Sequence, residues 1–482
     1  MGKWLAALAV LGLVATPALA GPLRAGAEAV RDRALNDPTA YDYVESISVE
    51  VGQRLAGSEA AARARDWAVA KLTSLGFSNV RVEPFPITAW LRGPEEAQIT
   101  SPHPQKLAII GLGGSVPTPP EGVEGEVALF HTYADLLAAP PGSLTGKIAV
   151  VTQPMPRGTD GVGYGALNAV RRQGPSEAAR RGAIAYLHRS LATGISREPH
   201  TGALNYEEGA PKIPAAALST IDAELIDHLA ARGQPLRIRL KLVSTTQPAT
   251  AWTVEGEIPG KAHPDQIVQV GGHLDSWDPG AGSIDDGAGM AIAVAAAKLA
   301  GTQNPPARTI RVALFGAEEM DFARAAFAAA HAKDNIVVIG ESDIGADRAW
   351  QVMLPAGSAN TGAMLDYAAT IAPLGVVVSP MPSRGSGDDT ADLVRAGVPA
   401  FAVRQDASRY FDWHHSSEDT LDKVDRDQLN QAVATWAAFV YVAANSDIDF
   451  RALAAPVATF TATPSPQPSV APPTPLAAKP GP

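Results

Sequence analysis

The 482-residue sequence contains no cysteine. This absence excludes disulfide bonds, thiolate catalysis and thiolate metal sites, so that any metal ion must be held by histidine and carboxylate side chains. Positive charge is also in short supply, because 39 basic residues stand against 50 acidic ones, a formal net charge of −11. Since no basic stripe is present either, nucleic acid and anionic membranes are not expected partners.

Long apolar runs are absent after the first twenty residues. Residues 1–20 combine Lys3, an apolar stretch from Leu5 to Val14 and the small-residue sequence Ala18-Leu19-Ala20. This pattern is typical of a secretory signal peptide that is cleaved after Ala20. A membrane anchor is the alternative, but the apolar stretch is short for a spanning helix. We therefore expect a secreted or periplasmic protein with no membrane span after cleavage.

The length of the chain and its changes in composition predict more than one folded unit. The predicted segments, in chain order, are a signal peptide (1–20), the N-terminal part of the main domain (21–100), an inserted smaller β-rich domain (101–245), the catalytic part of the main domain (246–450) and a Pro-rich disordered tail (451–482). The tail has almost no charge and few residues that could form a core.

Strand-like and helix-like runs alternate between residues 249 and 444, which predicts an α/β fold with a doubly wound, mostly parallel sheet. Upstream, the pattern predicts a helix over 58–75 and a short strand over 80–83 that ends at Pro84 and Pro86. Short strands separated by Pro- and Gly-rich loops, at 236–242 among others, fill the inserted segment.

Acidic and histidine side chains follow the predicted strands of the main domain. They occur as His273-x-Asp275, Asp285-Asp286, Glu318-Glu319, Asp343 and His414-His415. Taken singly, such groups are also typical of turns, helix first turns and polar loops. Because the carboxyl ends of parallel strands meet at one edge of a sheet, their joint placement predicts a single site. Its oxygen and nitrogen donors suit two zinc ions.

The chemistry of such a site assigns roles to these residues. Two metal ions roughly 3.5–4 Å apart need a bridging carboxylate, and Asp285 on a glycine-flanked turn can present both of its oxygens. We expect His273 and Asp343 to complete the ligands of one ion. Glu319 and His415 would complete those of the other.

Two further carboxylates act beside the ligands. Glu318 adjoins a ligand without being one, which suits the general base that takes a proton from water. Asp275, two residues after His273, can accept a hydrogen bond from the second ring nitrogen and so fix the tautomer.

The motif series GGHLDSWDPGAGSIDDGAG, FGAEE, ESDIGA and HHSSEDT resembles the dinuclear zinc exopeptidases that include the bacterial leucyl aminopeptidases. The resemblance implies the same five metal ligands, Glu318 as general base, two zinc ions and a peptide substrate. The sequences GKIAVV, RRGAIAYL and KIPAAALS resemble a protease-associated domain. Such a domain would cover part of the cleft and limit substrate length.

The segment 383–401 resembles the same relatives and suggests a substrate pocket. Arg384 could hold a substrate carboxylate and Asp388 an α-amino group, with Ser386 beside them; loop salt bridges and a helix N-terminus explain this segment equally well. Tyr410 could donate a hydrogen bond to a developing oxyanion, or could simply pack.

The sequence thus predicts a metallo-exopeptidase of the aminopeptidase or dipeptidase type. A carboxypeptidase shares every metal ligand, and a positive pocket through Arg384 would favour it. A glutaminyl-cyclase-like acyltransferase would need only one zinc ion, and a non-enzymatic binding ectodomain would have lost ligands. A homodimer is compatible with the sequence.

Overall fold

The computed structural model of the protein describes residues 21–302 and 304–454. The predicted signal peptide and nearly all of the predicted tail therefore lie outside the described residues. No helix within the described ranges is both long enough and apolar enough to cross a membrane.

Helices and strands alternate along most of the described chain. The helices are α1 (Pro22–Ala34), α2 (Thr39–Glu50), α3 (Glu59–Ser74), α4 (Tyr133–Ala138), α5 (Val162–Arg172), α6 (Gly174–Arg180), α7 (Thr220–Ala230), α8 (Ala288–Gly301), α9 (Ala323–His331), α10 (Gly362–Ile371), α11 (Ala391–Arg395), α12 (Arg426–Asn445) and α13 (Phe450–Leu453). The strands are β1 (Ser78–Ser101), β2 (Gln105–Leu107), β3 (Ile109–Gly111), β4 (Val123–Phe130), β5 (Ile148–Val151), β6 (Ala185–Arg189), β7 (Ala215–Leu218), β8 (Arg237–Ile258), β9 (His263–His273), β10 (Arg308–Phe315), β11 (Ile336–Glu341), β12 (Ala349–Met353), β13 (Val377–Val378) and β14 (Ala402–Gln405).

One large sheet dominates the molecule, with the strand order β11-β9-β10-β8-β4-β5-β6-β7-β3. Strands β9, β10 and β11 are mutually parallel, as are β4, β5, β6 and β7. The long strand β8 joins these two parallel blocks by running antiparallel to β10 and β4. The predicted α/β class with a mostly parallel sheet is thus confirmed. Strands β12, β13 and β14 form a separate small sheet instead of extending the large one.

The core beside strands β9, β10 and β11 is built around α8. Almost every residue of this alanine-rich helix is buried, where it packs against β9, α2 and α12. Small side chains permit this close approach on all sides. The helix α12 supplies larger groups, including the fully buried Trp436, which packs against Gly340 of β11.

Strand β1 differs from the short strand predicted at 80–83. It continues through Pro84 and Pro86, which lie opposite Trp252 and Thr250 of β8. Along this stretch β1 pairs with β8 alone. A proline is tolerated on such an edge strand where its missing N–H would face away from the neighbour.

The strand predicted at 236–242 is part of a much longer strand, β8. It crosses the predicted boundary at residue 245, and it pairs with β1 over nearly its whole length. A continuous sheet therefore links the segment 101–245 to strands β9, β10 and β11. The division into an inserted and a main domain remains a prediction.

Candidate metal centre and active site

The candidate ligands are brought together by three parallel strands that end at the same edge. In β9 the residues from Ile267 to His273 are all buried, and the strand ends at His273. His273 lies opposite Phe315, the last residue of β10. Glu318 and Glu319 follow β10, and Asp343 follows β11. The polar residues that end or follow these buried strands therefore lie close together at one edge of the sheet.

Asp285 lies between two imidazole rings. Its Oδ1 is 3.1 Å from Nε2 of His273, and its Oδ2 is 3.2 Å from Nε2 of His415. The residue is only 4% exposed, and a cis peptide bond joins it to Asp286. One carboxylate therefore faces both histidines, as a bridging ligand must.

Each histidine has a second carboxylate beside it. Oδ1 of Asp343 is 3.4 Å from Nε2 of His273, and Oε2 of Glu319 is 3.1 Å from Nε2 of His415. The side chains thus form two clusters that share Asp285. The sequence assigned the same pairs, His273 with Asp343 and Glu319 with His415, to one metal ion each, and that assignment stays a prediction.

Whether a metal ion fits these clusters depends on the surroundings of their buried carboxylate oxygens. Oε1 of Glu319 is buried and accepts no hydrogen bond from any residue of the described ranges, and the buried Oδ2 of Asp285 faces only the imidazoles of His415 and His414, at 3.2 and 3.6 Å. A buried carboxylate oxygen without a donor is unfavourable, and a cation would remove that penalty. Imidazole nitrogens together with carboxylate oxygens are ligands that suit zinc. The residues present therefore fit the metal.

Charge pairing shapes the protonation of the cluster. Burial alone would lower the pKa of His415, but Glu319 and Asp285 raise it to about 10. Burial opposes ionisation of Asp285, yet His414, His273 and His415 hold its pKa well below the usual range. Positive charge is thus favoured between Glu319 and Asp285, and a metal ion bound there would need His415 in its neutral form.

Asp275 contacts His273 differently from the prediction. Nδ1 of His273 lies 2.9 Å from the backbone carbonyl of Asp275 and 3.8 Å from its carboxylate. The carboxylate instead accepts the backbone N–H groups of Ala317, at 2.8 Å, and Glu318, at 3.0 Å. The reason is that the side chain faces the turn after β10, where Ala317 has a φ of 82°. Asp275 therefore fixes the ring through its main chain and the Glu318 turn through its side chain.

A cavity of about 120 Å³ opens onto the metal cluster. Glu318 lines it, and burial raises the pKa of its carboxyl well above the ordinary value, opposed by His273 and reinforced by Asp343 and Glu319. Of the predicted substrate residues, Asp388 and Tyr410 line this cavity. Arg384 is exposed and does not line it.

Ser386 also lies outside the cavity lining. Its hydroxyl is 3.2 Å from that of Thr390, beside the start of α11. The local alternative given for this segment, a helix N-terminus, thus accounts for the contact of Ser386.

Comparison with known proteins identifies the chain. The model of peptidase family M28 matches residues 253–440. Carboxypeptidase Q from Bos taurus is 35% identical over 416 residues, covering 84% of this chain and 85% of the relative. Carboxypeptidase Q from Homo sapiens is 36% identical over 418 residues, with the same two shares.

The chain belongs to peptidase family M28. The prediction of a metallopeptidase is thereby confirmed. Among solved structures, the peptidase M28 precursor from Shewanella amazonensis has a TM-score of 0.86 and 42% identity, covering 89% of this chain and 98% of that one. A zinc aminopeptidase from Bacillus subtilis shares the fold, with a TM-score of 0.61, 21% identity and shares of 86% and 96%.

One wall of the cavity in this M28 peptidase comes from the segment 101–245. Helix α5 contributes Tyr164, Asn168, Arg171 and Arg172. Sequence reasoning gave these residues no role. Their spacing of i, i+4, i+7 and i+8 places them on one helix face, and that polar face was the available signal.

His414 was also left without a role in the sequence interpretation. Its ring stacks on that of His415 at a centroid distance of 3.5 Å, and its Nε2 is 3.6 Å from Oδ2 of Asp285. Burial and the neighbouring His415 hold the pKa of His414 well below its usual value. His414 thus packs against the ligand His415.

Proposed function

We propose that this M28 member is a two-zinc exopeptidase that hydrolyses short peptides or dipeptides. The observation that carries this proposal is the position of Asp285, with one oxygen toward His273 and the other toward His415. A site for one metal ion, as in a glutaminyl-cyclase-like acyltransferase, would not need a carboxylate shared in this way. The two ligand clusters therefore favour hydrolysis by a metal pair.

The two clusters define how the ions would be held. His273, Asp285 and Asp343 would bind one zinc ion, and Asp285, Glu319 and His415 the other. When bound, the pair would supply Lewis acidity toward the scissile carbonyl and toward the attacking water.

Glu318 is the proposed proton carrier. Its side chain lines the same cavity as Asp285, Glu319, Asp343 and His415, and its backbone N–H donates to Asp275 at 3.0 Å. Glu318 is half-buried, and its raised pKa makes the ionised carboxylate a stronger base than a free one, so that in this form it can take a proton from the attacking water. The same carboxyl then gives that proton to the leaving amine as the peptide bond breaks.

The size of the cavity supports a short substrate. About 120 Å³ is small beside the roughly 300–1,000 Å³ of ordinary ligand pockets. Helix α5 closes one side, as the predicted protease-associated domain would if it limited substrate length. Carboxypeptidase Q and the zinc aminopeptidase are both named as enzymes that act at chain ends.

Hydrolysis of free and N-acetylated dipeptides, each with and without a chelator, tests this function. We expect cleavage of free dipeptides by the wild type, loss of cleavage with chelator, and restoration by zinc. The Glu318→Gln variant should keep its metal but lose on the order of 10²- to 10⁴-fold in kcat. Full activity of Glu318→Gln would overturn the proposed base. Cleavage of only the blocked substrates would move the assignment to carboxypeptidase.

Secretion is part of the proposal and rests on residues 1–20. N-terminal sequencing of the exported protein should begin at Gly21. Light scattering of the same sample would check the homodimer that the sequence allows.

A further inference from the structure

Two adjacent arginines of α5 line the cavity but differ in their partners. Arg172 forms an ion pair with Asp321 in the loop after Glu319. Arg171 is only 2% exposed and has no carboxylate within ion-pair distance anywhere in the described ranges. The cavity thus contains one buried guanidinium whose charge is not neutralised.

The hydrogen bonds of Arg171 go to neutral groups. Nη1 donates to the hydroxyl of Tyr164 at 2.6 Å, and Nη2 donates to Oδ1 of Asn168 at 3.2 Å. Nε has no partner among the described residues. A buried cation without a counter-charge is unfavourable in a folded protein. An anionic ligand would neutralise it.

The guanidinium has a fixed place near the metal cluster. It lies 5.3 Å from the ring of Tyr164, which in turn is 5.0 Å from the ring of His414. His414 stacks directly on the ligand His415. Behind the guanidinium, Gly202 has a φ of 135°, and a Cβ there would collide with Nη1 of Arg171. The absence of a side chain at Gly202 therefore makes room for the guanidinium, and the ring of Tyr164 packs near it in the cavity wall.

Most of the other charged groups that line the cavity are negative and would repel an anion. Apart from the paired Arg172 and the histidines, the charged side chains that line the cavity are carboxylates, namely Asp285, Glu318, Glu319, Asp343 and Asp388. A substrate carboxylate would be repelled by these groups wherever a metal ion does not neutralise them. Arg171 offers the planar fork that binds a carboxylate well.

We propose that Arg171 binds the free C-terminal carboxylate of the substrate, which makes short peptides with a free carboxyl end the preferred substrates. This inference rests on the proposed peptidase function of the same site. Arg171 and most of the candidate ligands line the same cavity, so a short substrate with its scissile carbonyl at the ligands can place its C-terminal carboxylate against α5. Arg384, the residue predicted for this task from the sequence, is exposed and outside the cavity lining.

The test compares one dipeptide with its C-terminal amide on the full-length, zinc-loaded protein. Wild type should have a kcat/KM at least roughly tenfold higher for the acid, as expected for a hydrogen bond to a charged group. Arg171→Gln should lower kcat/KM for the acid by about the same factor, whereas kcat/KM for the amide should change little. Arg232→Gln is the matched control, since it removes an exposed positive charge from the same segment. This variant should have the wild-type kcat/KM for both the acid and the amide.

Equal kcat/KM of wild type for acid and amide would overturn the inference and leave the proposed function standing. A preference for the acid that persists in Arg171→Gln, or that is lost in Arg384→Gln instead, would also overturn it. If Arg171→Gln does not fold, Arg171→Lys replaces it, and the preference should fall because a lysine lacks the fork. An undiminished preference in Arg171→Lys would contradict the inference. Failure to cleave either substrate with zinc would overturn the proposed function itself.

Discussion

The carboxylate of Asp419 holds the main chain of Asp285. Its Oδ2 accepts the backbone N–H of Asp285 at 3.2 Å, and its Oδ1 accepts that of Ile284 at 2.7 Å. Asp419 belongs to the same loop as His415, so these hydrogen bonds tie the loop that carries Asp285 to the loop that carries His415. The sequence motif HHSSEDT contains Asp419, but its spacing gives no sign of this role.

Asp419→Asn should weaken zinc binding without unfolding the protein. An amide keeps the size of the side chain but presents an NH2 group toward one of the two backbone donors. Loss of such support around a metal ligand typically lowers metal affinity about 10- to 100-fold. Competition with a chromophoric chelator measures the change. The exposed Asp422→Asn, in the same loop region, is the control and should bind zinc as wild type does. Equal affinity of the two variants would contradict this role of Asp419.

Substitution of single ligands should show which residues are needed to bind each of the two zinc ions. His273→Ala and His415→Ala each disrupt one cluster, and each variant should retain about one zinc ion per chain after dialysis. Asp285→Ala removes the shared ligand and should retain almost none. Metal analysis of the dialysed variants gives these values. Two ions per chain in Asp285→Ala would be incompatible with a bridging role.

Arg54 fixes the glycine-rich loop that carries Asp285. The side chain is fully buried and donates to the carbonyls of Leu274 at 2.5 Å, Ala281 at 2.6 Å and Gly282 at 2.9 Å. Arg54→Met leaves these acceptors without donors and the nearby aspartates without a cation. We expect the free energy of unfolding to fall by about 3–5 kcal/mol in urea denaturation. Arg63→Met, at an exposed position, should change it little. Equal stabilities of the two variants would count against this role.

The placement of His273, Glu319 and Asp343 was predictable because each of them ends or follows a buried apolar strand, whereas Asp285 and His415 lie in loops. Buried strands such as β9 and β10 are evident as unbroken apolar sequences, and parallel strands necessarily end together. The role of α5 was not predictable in this way. Its residues lie about a hundred positions before His273, and only the tertiary arrangement brings Arg171 to the cavity. The same limit explains Arg384, whose loop resembles a pocket segment but points its arginine to solvent.

The strand β8 carries a second charged cluster that makes stability depend on pH. Burial raises the pKa of Glu255 to about 7, against the opposing charges of His331, Arg311 and Arg81. Because the pKa in the folded state exceeds the unfolded value of 4.5, Glu255 contributes stability below about pH 4.5, and that contribution is lost as the pH rises to about 7. The pKa of His331 is also raised, despite burial, by Glu83 and Glu255, and its contribution is likewise lost at high pH.

Glu255→Gln should therefore flatten the pH dependence of stability. Between pH 5 and pH 8 the wild type should lose more unfolding free energy than the variant, by on the order of 3 kcal/mol. Urea denaturation of both proteins at these two pH values measures the difference. The metal site titrates in both proteins, so its contribution cancels in the comparison. If the unfolding free energies of wild type and Glu255→Gln fell equally between the two pH values, Glu255 would not be the cause of the pH dependence.

The central claim, a two-zinc peptidase built on Asp285, is tested most directly by titrating zinc into the metal-free protein while following dipeptide hydrolysis. The account predicts no hydrolysis without metal, full activity at about two zinc ions per chain, and no activity of Asp285→Asn at the same zinc concentration. Full activity without metal, saturation at about one ion, or an active Asp285→Asn would contradict it.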